Sequence, residues 1–236
     1  MIDLSQRSGE TEQMDDLQCK GEVIEQTLHE LEMINQLLGG NQLTMSGISE
    51  LVDTVPSITH LRVFDLGCGR GDMLELISNW AKSKDIRVQL TGIDANPNII
   101  KIAQARHENN PDIRFEVKNI FDPELAHVKP DIILATLFTH HFTDDQLSFL
   151  LRQWNMQASI GIVINDLHRH WLAYHSISLL TRYFSKSGMV KNDGPVSVSR
   201  AFSKNEWKHI LENAGISHYK ITWHWAFRWK LVIYSK

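Results

Sequence analysis

Short apolar runs alternate with amphipathic segments over most of the chain and predict strands that alternate with helices. The predicted strands cover residues 61–66, 87–94, 113–117, 131–135 and 160–166. Helical spacing of apolar residues and capping patterns predict helices over 72–83, 97–108 and 144–157. Strands that are apolar on both faces and separated by helices are typical of a parallel sheet covered on both sides.

The C-terminal part follows a different pattern. A helix is predicted over 203–214, where Ser203 and Glu206 form a capping box. Apolar residues then alternate with mostly polar ones from Ile221 to Ile233, which predicts two strands with a reversal near Ala226. We therefore expect an α/β fold with a doubly wound, seven-stranded, mostly parallel sheet that ends in an antiparallel hairpin.

The N-terminal part precedes the alternation and predicts a helical cap. Residues 1–20 carry few large apolar side chains and indicate a loosely structured arm. Helical spacing predicts a helix over 21–38 that ends at Gly39, and a second helix over 46–55 that opens at Ser46. We divide the chain into an arm and cap over 1–58 and a main domain over 59–236, with a helical lid inserted at about 170–200.

Composition narrows the classes of protein and of partner. The 236 residues carry a formal charge of −4, which argues against a protein that holds nucleic acid through many phosphates. The two cysteines, Cys19 and Cys68, suit a reducing compartment, and the N-terminus does not have the pattern of a signal peptide. The apolar runs are too short to span a bilayer, so we expect a cytoplasmic protein.

The strongest motif is VFDLGCGRGDML at residues 63–74. A buried strand leads into Asp65 and then into Gly67, Gly69 and Gly71, and a helix follows. Glycines in such a turn let backbone amides approach a ligand, and the helix N-terminus adds positive potential. The spacing is not that of a dinucleotide fingerprint, and Asp65 and Asp72 better suit a ligand with an ammonium and a sulfonium group.

Two further segments extend this binding prediction. The second strand ends in GIDANP, where Asp94 lies in the position of an acid that holds a ribose diol. The third strand leads to VKNIFD, where Asn119 is expected to face an adenine edge and Ile120 or Phe121 its ring. A glycine-rich turn alone is often only a turn, but here the strand, loop, helix, second strand and acid follow in order.

These motifs, with DIILATLFTHHF after them, resemble those of class I S-adenosylmethionine-dependent methyltransferases over about residues 60–236. ELEMINQLLGG, NDLHRH and PVSVSRAF are similar to a bacterial subgroup associated with small-molecule, polyketide or quinone-type O-methylation. The resemblance implies S-adenosyl-L-methionine as cofactor, with the three glycines along its methionine part, Asp94 on its ribose and Asn119 with Ile120 at its adenine. Cys68 and Ala95 complete the predicted set. The family usually has Asp at the place of Asn119.

The carboxyl ends of the fourth and fifth strands are expected to carry the acceptor chemistry, because ligands of open α/β sheets bind there. THH at 139–141 follows the fourth strand, and Asp166 and His168 follow the fifth. We predict a small-molecule acceptor, phenolic or quinol-type, with His141 or His168 as general base and Asp166 orienting an imidazole. Transfer to carbon or nitrogen and a non-catalytic scaffold remain the alternatives.

Other interpretations of the same residues stay open. Asp166, His168 and His170 also have the composition of a metal site, but their spacing disfavours one and we predict no metal. A structural alternative is that Asp166 pairs with Arg169 and that His170 caps the next helix. Trp171, Tyr174, Leu179 and Phe184 are expected to line the acceptor pocket, or else to form core or a homodimer face.

Overall fold

The computed structural model describes residues 2–235. Its strands are β1 His60–Leu66, β2 Arg87–Asp94, β3 Ile113–Val117, β4 Ile132–Thr136, β5 Gly161–Leu167, β6 Tyr219–His224 and β7 Arg228–Tyr234. Its helices are α1 Glu22–Leu37, α2 Gly40–Val52, α3 Asp72–Ser83, α4 Pro97–Arg106, α5 Asp144–Gln157, α6 Trp171–Phe184, α7 Gly188–Arg200 and α8 Lys204–Asn213. Short 3₁₀ turns cover Gln13–Asp15, Pro123–His127 and Thr139–His141.

The seven strands form one sheet in the order β3-β2-β1-β4-β5-β7-β6. The first five strands are parallel, and β7 runs antiparallel to both β5 and β6. One apolar core forms between the sheet and α5 with α8, and another forms on the opposite face under α2 and α3. The predicted doubly wound fold with a C-terminal hairpin is confirmed.

The start of α2 differs from the prediction. Gly39 adopts the left-handed conformation with φ 75° and lets the chain turn from α1 directly into α2, so the helix begins at Gly40 rather than at Ser46. The Ser46 hydroxyl instead donates to the carbonyl of Leu43 inside the helix, at 2.7 Å. The division of the chain at residue 58 stays a prediction.

The arm is better ordered than its composition indicates. The Arg7 guanidinium pairs with Asp144 at 2.6 Å and also donates to the carbonyl oxygens of His140 and Phe142. Asp193 of α7 accepts from the backbone amides of Gln13 and Met14 at 2.9 and 3.0 Å. The arm has little regular secondary structure, and polar contacts to distant elements hold it in place where apolar anchors are missing.

The predicted lid consists of two helices, α6 and α7, joined by a short connection. Together with α1 and the arm they lie over the carboxyl ends of the parallel strands. In the part of the chain that the structure describes, no helix combines the length and the apolar character needed to cross a membrane.

Candidate active site

The loop between β1 and α3 has the backbone geometry that its glycines predict. Gly67, Gly69 and Gly71 all have positive φ values, at 67°, 52° and 77°. A Cβ on Gly67 would collide with the ring of Phe138, and a Cβ on Gly71 would lie 2.6 Å from the ring of Phe115. Glycine is therefore required here by both conformation and space.

Three acids, Asp65, Asp72 and Asp94, surround this loop. Burial raises the pKa of Asp65 well above its ordinary value, and the charges of Asp72 and Asp94 raise it further. Burial likewise raises the pKa of Asp94, and it raises that of Asp72 to about 6. Among residues 2–235, none of the three forms an ion pair within 4 Å. Such a cluster favours a positively charged ligand, because a cation relieves their mutual repulsion.

The predicted cofactor residues fall into two groups. Asp65, Gly67, Cys68 and Gly69 line a cavity of about 430 Å³ at the carboxyl ends of the strands, whereas Gly71, Asp94, Ala95, Asn119, Ile120 and Phe121 lie outside its wall. The Asn119 side-chain oxygen accepts from the amide of Phe121 at 3.0 Å. Ile120 is buried in the core, and Phe121 is exposed. Their cofactor contacts stay predictions.

The cavity is roofed by elements from both ends of the chain. Its wall includes Glu12 and Met14 of the arm, one face of α1, and Phe227 and Arg228 at the β6–β7 turn. From α6 it takes Ala173, Ser176, Ile177, Leu180 and Thr181. Trp171, Leu179 and Phe184 instead are 61%, 59% and 83% exposed, and Tyr174 also lies off the cavity wall. The prediction that these four residues line the pocket was wrong, because the opposite face of α6 turns inward.

Asp166 orients an imidazole, and that imidazole belongs to His140. The Asp166 carboxylate accepts from His140 Nδ1 at 2.7 Å, from the His140 amide at 3.0 Å and from the Thr139 hydroxyl. Glu12 lies 3.4 Å from the other ring nitrogen. Burial disfavours a charged imidazole, but the two carboxylates outweigh it and raise the pKa of His140 to about 10. His140 is therefore an imidazolium at neutral pH and is a poor proton acceptor.

His141 is held by a different acid from a distant part of the chain. Its Nδ1 lies 2.7 Å from Asp15 Oδ1, across 126 positions of sequence. Arg200 pairs with Asp15 at 2.6 Å and donates to the carbonyl oxygen of His141 at 2.8 Å. Burial works against the ionised Asp15, but its bonds to His141 and Arg200 hold its pKa well below the ordinary value.

The geometry of His141 leaves one ring nitrogen available. His141 lines the cavity, and its Nε2 has no hydrogen-bond partner among residues 2–235. An acid bonded to Nδ1 fixes the tautomer in which Nε2 carries the lone pair. Sequence reasoning identified His141 but missed Glu12 and Asp15, since nothing local to the arm marks them as partners of a histidine.

The structure does not bring His168 to the cavity wall. Its Nδ1 accepts from Trp223 Nε1 at 3.2 Å, and its ring packs against Trp229 with centroids 4.9 Å apart. Burial, with the nearby His170 and Arg169, lowers the pKa of His168 to about 4. Its assignment as a base is not supported by this placement.

Of the two structural alternatives predicted for residues 166–170, one is wrong and the other is confirmed. Arg169 pairs with Glu206 at 2.7 Å, so the considered pair with Asp166 was wrong. His170 does cap α6, because its Nδ1 accepts from the Leu172 amide at 3.2 Å. The ligand atoms of Glu12, His140 and His141 lie within 4.8 Å of one another, but Asp166 and Asp15 already engage the two imidazoles.

Comparison with known proteins bears on the family and on the fold. Residues 63–156 match the family described as a methyltransferase domain. The fold is similar to that of the plantazolicin methyltransferase BpumL in complex with SAH, at 19% identity and a TM-score of 0.65, over 89% of this chain and 90% of that one. The CMeT domain of the citrinin polyketide synthase matches at 18% identity and a TM-score of 0.62, over 83% of this chain.

This chain spans 52% of the citrinin synthase structure and 56% of that of human N-acetylserotonin methyltransferase, which matches 92% of this chain at 14% identity and a TM-score of 0.62. No curated protein sequence matches the chain. The matched segment, which is less than half of the chain, and the fold are those that the resemblance to class I S-adenosylmethionine-dependent methyltransferases implies. The resemblance read from the glycine loop is thereby confirmed.

Proposed function

We propose that this methyltransferase acts on a hydroxyl group of a small phenolic or quinol-type acceptor, with His141 as general base. The observation that carries the proposal is His141 itself, which lines the cavity with a free Nε2 and is oriented by Asp15. A phenol suits such a base because its pKa, about 10, is within reach of an imidazole in a positioned complex.

The residues around the glycine loop fit the cofactor. Gly67 and Gly69 supply a surface without Cβ atoms beside its methionine part, and Asp65 and Asp72 supply charge that complements its ammonium and sulfonium. Asp94, at the end of β2, is proposed to hold the ribose hydroxyls. The cofactor brings an electrophilic methyl group on a sulfonium, and the chain positions the acceptor oxygen in line with it and excludes water.

The proton path follows from the contacts of His141. Nε2 removes the acceptor proton as the oxygen attacks, and the charge that develops on the ring is balanced by Asp15. Arg200 holds Asp15 in place and keeps it ionised. Next to this pair, the His140 imidazolium, between Asp166 and Glu12, supplies a fixed positive charge and takes no proton.

Replacing Asp94 with alanine is expected to weaken binding of S-adenosylhomocysteine at least about tenfold, since hydrogen bonds to a charged group contribute about 1.5–3 kcal/mol. Isothermal titration calorimetry of the two proteins measures the change. The control is Asp53→Ala at the exposed end of α2, which should bind as the wild type does. Equal affinity of Asp94→Ala and the control would remove Asp94 from the cofactor site.

Cofactor affinity is expected to fall as pH drops through about 6. Asp72 has a pKa of about 6 in the free protein, and a bound cation stabilises its ionised form, so binding releases a proton. Below pH 6 binding must first deprotonate Asp72, and the affinity should decline by up to about tenfold per pH unit. Titrations with S-adenosylmethionine, which keeps the sulfonium charge, between pH 5 and 8 test this.

The matched control for this pH dependence is Asp72→Asn, which should bind more weakly above pH 6 and show a flatter profile. Asp65 is a second buried acid beside the same ligand, so a residual slope in the variant is assigned to it. A wild-type affinity that stays constant from pH 5 to 7 would contradict the role of Asp72.

The acceptor atom is identified by the product. Incubation with methyl-labelled cofactor and a panel of phenols, quinols, amines and carbon acids, followed by carbon NMR, separates O-, N- and C-methyl groups by chemical shift. Methylated phenol supports the proposal. Methyl groups found only on nitrogen or carbon would show that the acceptor is not a hydroxyl compound. Tight cofactor binding without any transfer would favour a scaffold.

A further inference from the structure

The wall of the cavity contains a buried arginine that lacks an acidic partner. Arg228 begins β7, is 2% exposed and lines the cavity. Among residues 2–235, no carboxylate lies within 4 Å of its guanidinium, and its Nε has no acceptor. Within these residues the guanidinium makes a single hydrogen bond, a long contact of 3.5 Å from Nη1 to Asn165 Oδ1.

Other buried cations of this protein are paired. Arg169 pairs with Glu206 at 2.7 Å and Arg200 with Asp15 at 2.6 Å. Lys230, two residues along the same strand and on the same face as Arg228, pairs with Glu50 at 2.6 Å. A buried charge without a partner costs several kcal/mol. For Arg228, no ion pair within the described residues offsets this cost.

Burial lowers the pKa of Arg228 to about 10, with the Asp166 charge acting against this, so the guanidinium is still charged at neutral pH. The surroundings leave access to it. A Cβ on Gly40 would lie 3.1 Å from the Arg228 Cζ and would collide with the side chain of Asn35, so the glycine makes room for both.

We infer that Arg228 binds a carboxylate of the acceptor. A guanidinium presents paired N–H donors that match the two oxygens of a carboxylate. The inference rests on the proposed function, since it names the class of acceptor, a small hydroxylated carboxylic acid. Apolar residues of the same cavity wall, including Ile34, Leu38 and Leu180, would enclose the body of that acid.

The cofactor carries a carboxylate as well, and the sheet order separates the two sources. The glycine loop follows β1, while Arg228 begins β7, and β4 and β5 lie between them. Three strand spacings amount to roughly 14 Å across the sheet. The methionine part beside Gly67 is therefore on the far side of the cavity from Arg228, which favours the carboxylate of the acceptor.

The first test uses binding to the protein saturated with S-adenosylhomocysteine. A set of hydroxybenzoates is compared with their methyl esters by calorimetry for the wild type, Arg228→Gln and Arg228→Lys. We expect the acids to bind the wild type at least tenfold more tightly than the esters, and Arg228→Gln to lose this preference while Arg228→Lys retains part of it. Equal binding of acids and esters, no binding of any acid, or an unchanged preference in Arg228→Gln would overturn the inference.

The second measurement separates the sources and guards against misfolding. Arg228→Gln should bind S-adenosylhomocysteine within about twofold of the wild type, and a loss of tenfold or more would assign Arg228 to the cofactor carboxylate and overturn the inference. Without ligand, Arg228→Gln should keep or raise the melting temperature, whereas the matched Arg169→Gln should lower it. Equal destabilisation of both variants would make Arg228 structural.

The two proposals can fail separately. If acids bind selectively through Arg228 but no hydroxyl is methylated, the proposed O-methylation fails and the carboxylate site stands. If neutral phenols are methylated as fast as the acids, the O-methylation stands and the inference about Arg228 fails.

Discussion

Replacing His141 with glutamine is expected to slow methyl transfer by about 10²- to 10⁴-fold, the contribution that a positioned general base makes. Glutamine keeps a polar side chain of similar length but accepts no proton at neutral pH. The predicted cofactor contacts involve other residues, so the affinity for S-adenosylhomocysteine should stay within about twofold of that of the wild type. Single-turnover transfer from labelled cofactor, measured at saturating acceptor, gives the rate directly.

The matched control is His168→Gln. His168 lies off the cavity wall and bonds to Trp223, so its replacement should leave the transfer rate within about twofold of the wild type. If His168→Gln slows transfer strongly and His141→Gln does not, the assignment of the base is reversed. If neither does, the acceptor needs no base from these two side chains.

Asp15 acts through His141 and is a positioning residue. Asp15→Asn should lower kcat by at least about tenfold with little change in the KM for the cofactor, because an amide no longer stabilises the charged ring. It should also shift the acidic limb of the pH–rate profile, which a purely structural loss would not do. A lower rate with an unchanged profile would indicate that Asp15 only anchors the arm.

Replacing Asp166 with alanine is expected to destabilise the fold by about 3–5 kcal/mol, the cost of breaking a buried ion pair by removing one partner. The change leaves His140 charged or forces it neutral, and it removes the acceptor of the His140 and Leu167 amides and of the Thr139 hydroxyl. Urea denaturation followed by tryptophan fluorescence measures the difference. Asp145→Ala, an exposed acid on α5, is the control and should stay within about 1 kcal/mol.

The pH dependence of this difference has a definite sign. The pKa of Asp166 is lowered to about 2, so its contribution is present above its unfolded value, about 4, and is lost as pH falls towards 2. The pKa of His140 is raised to about 10, so its contribution is complete below about 6.5 and is lost as pH rises towards 10. The gap between wild type and Asp166→Ala should therefore be widest between pH 4 and 6.5, and a gap that widens above pH 8 would contradict the ion pair.

The regular elements were predictable because their signals are local. The capping box at Thr143 and Gln146 defines the start of α5, and Ser203 with Glu206 does so for α8. The strands β4 and β5 were recognisable by continuous apolar runs, since both of their faces are covered. The glycine loop was recognisable because its conformation tolerates few other residues.

The acceptor side was less predictable because it is assembled from distant residues. Asp15 reaches His141 across 126 positions, and no pattern within the arm indicates such a partner. His140 and His141 are adjacent, and only the 3₁₀ turn decides which ring meets Asp166 and which meets the cavity. On β7 the period-two pattern gives no sign that Arg228 and Lys230 are buried, because it is α2 that covers their face of the sheet.

The roof of the cavity also has a consequence for protein engineering. Residues 63–156 carry the loop, the three acids and both histidines, whereas Glu12, Ile177 and Arg228 come from segments before and after that range. Under the proposed function, exchanging the α6–α7 pair or the β6–β7 turn for that of another methyltransferase is expected to change which acceptor is methylated while the cofactor loop stays in place. The arm has to be kept, because its Asp15 holds His141. The segments proposed to select the acceptor thus lie outside the range by which the family is recognised, so that they could diversify while that range is kept.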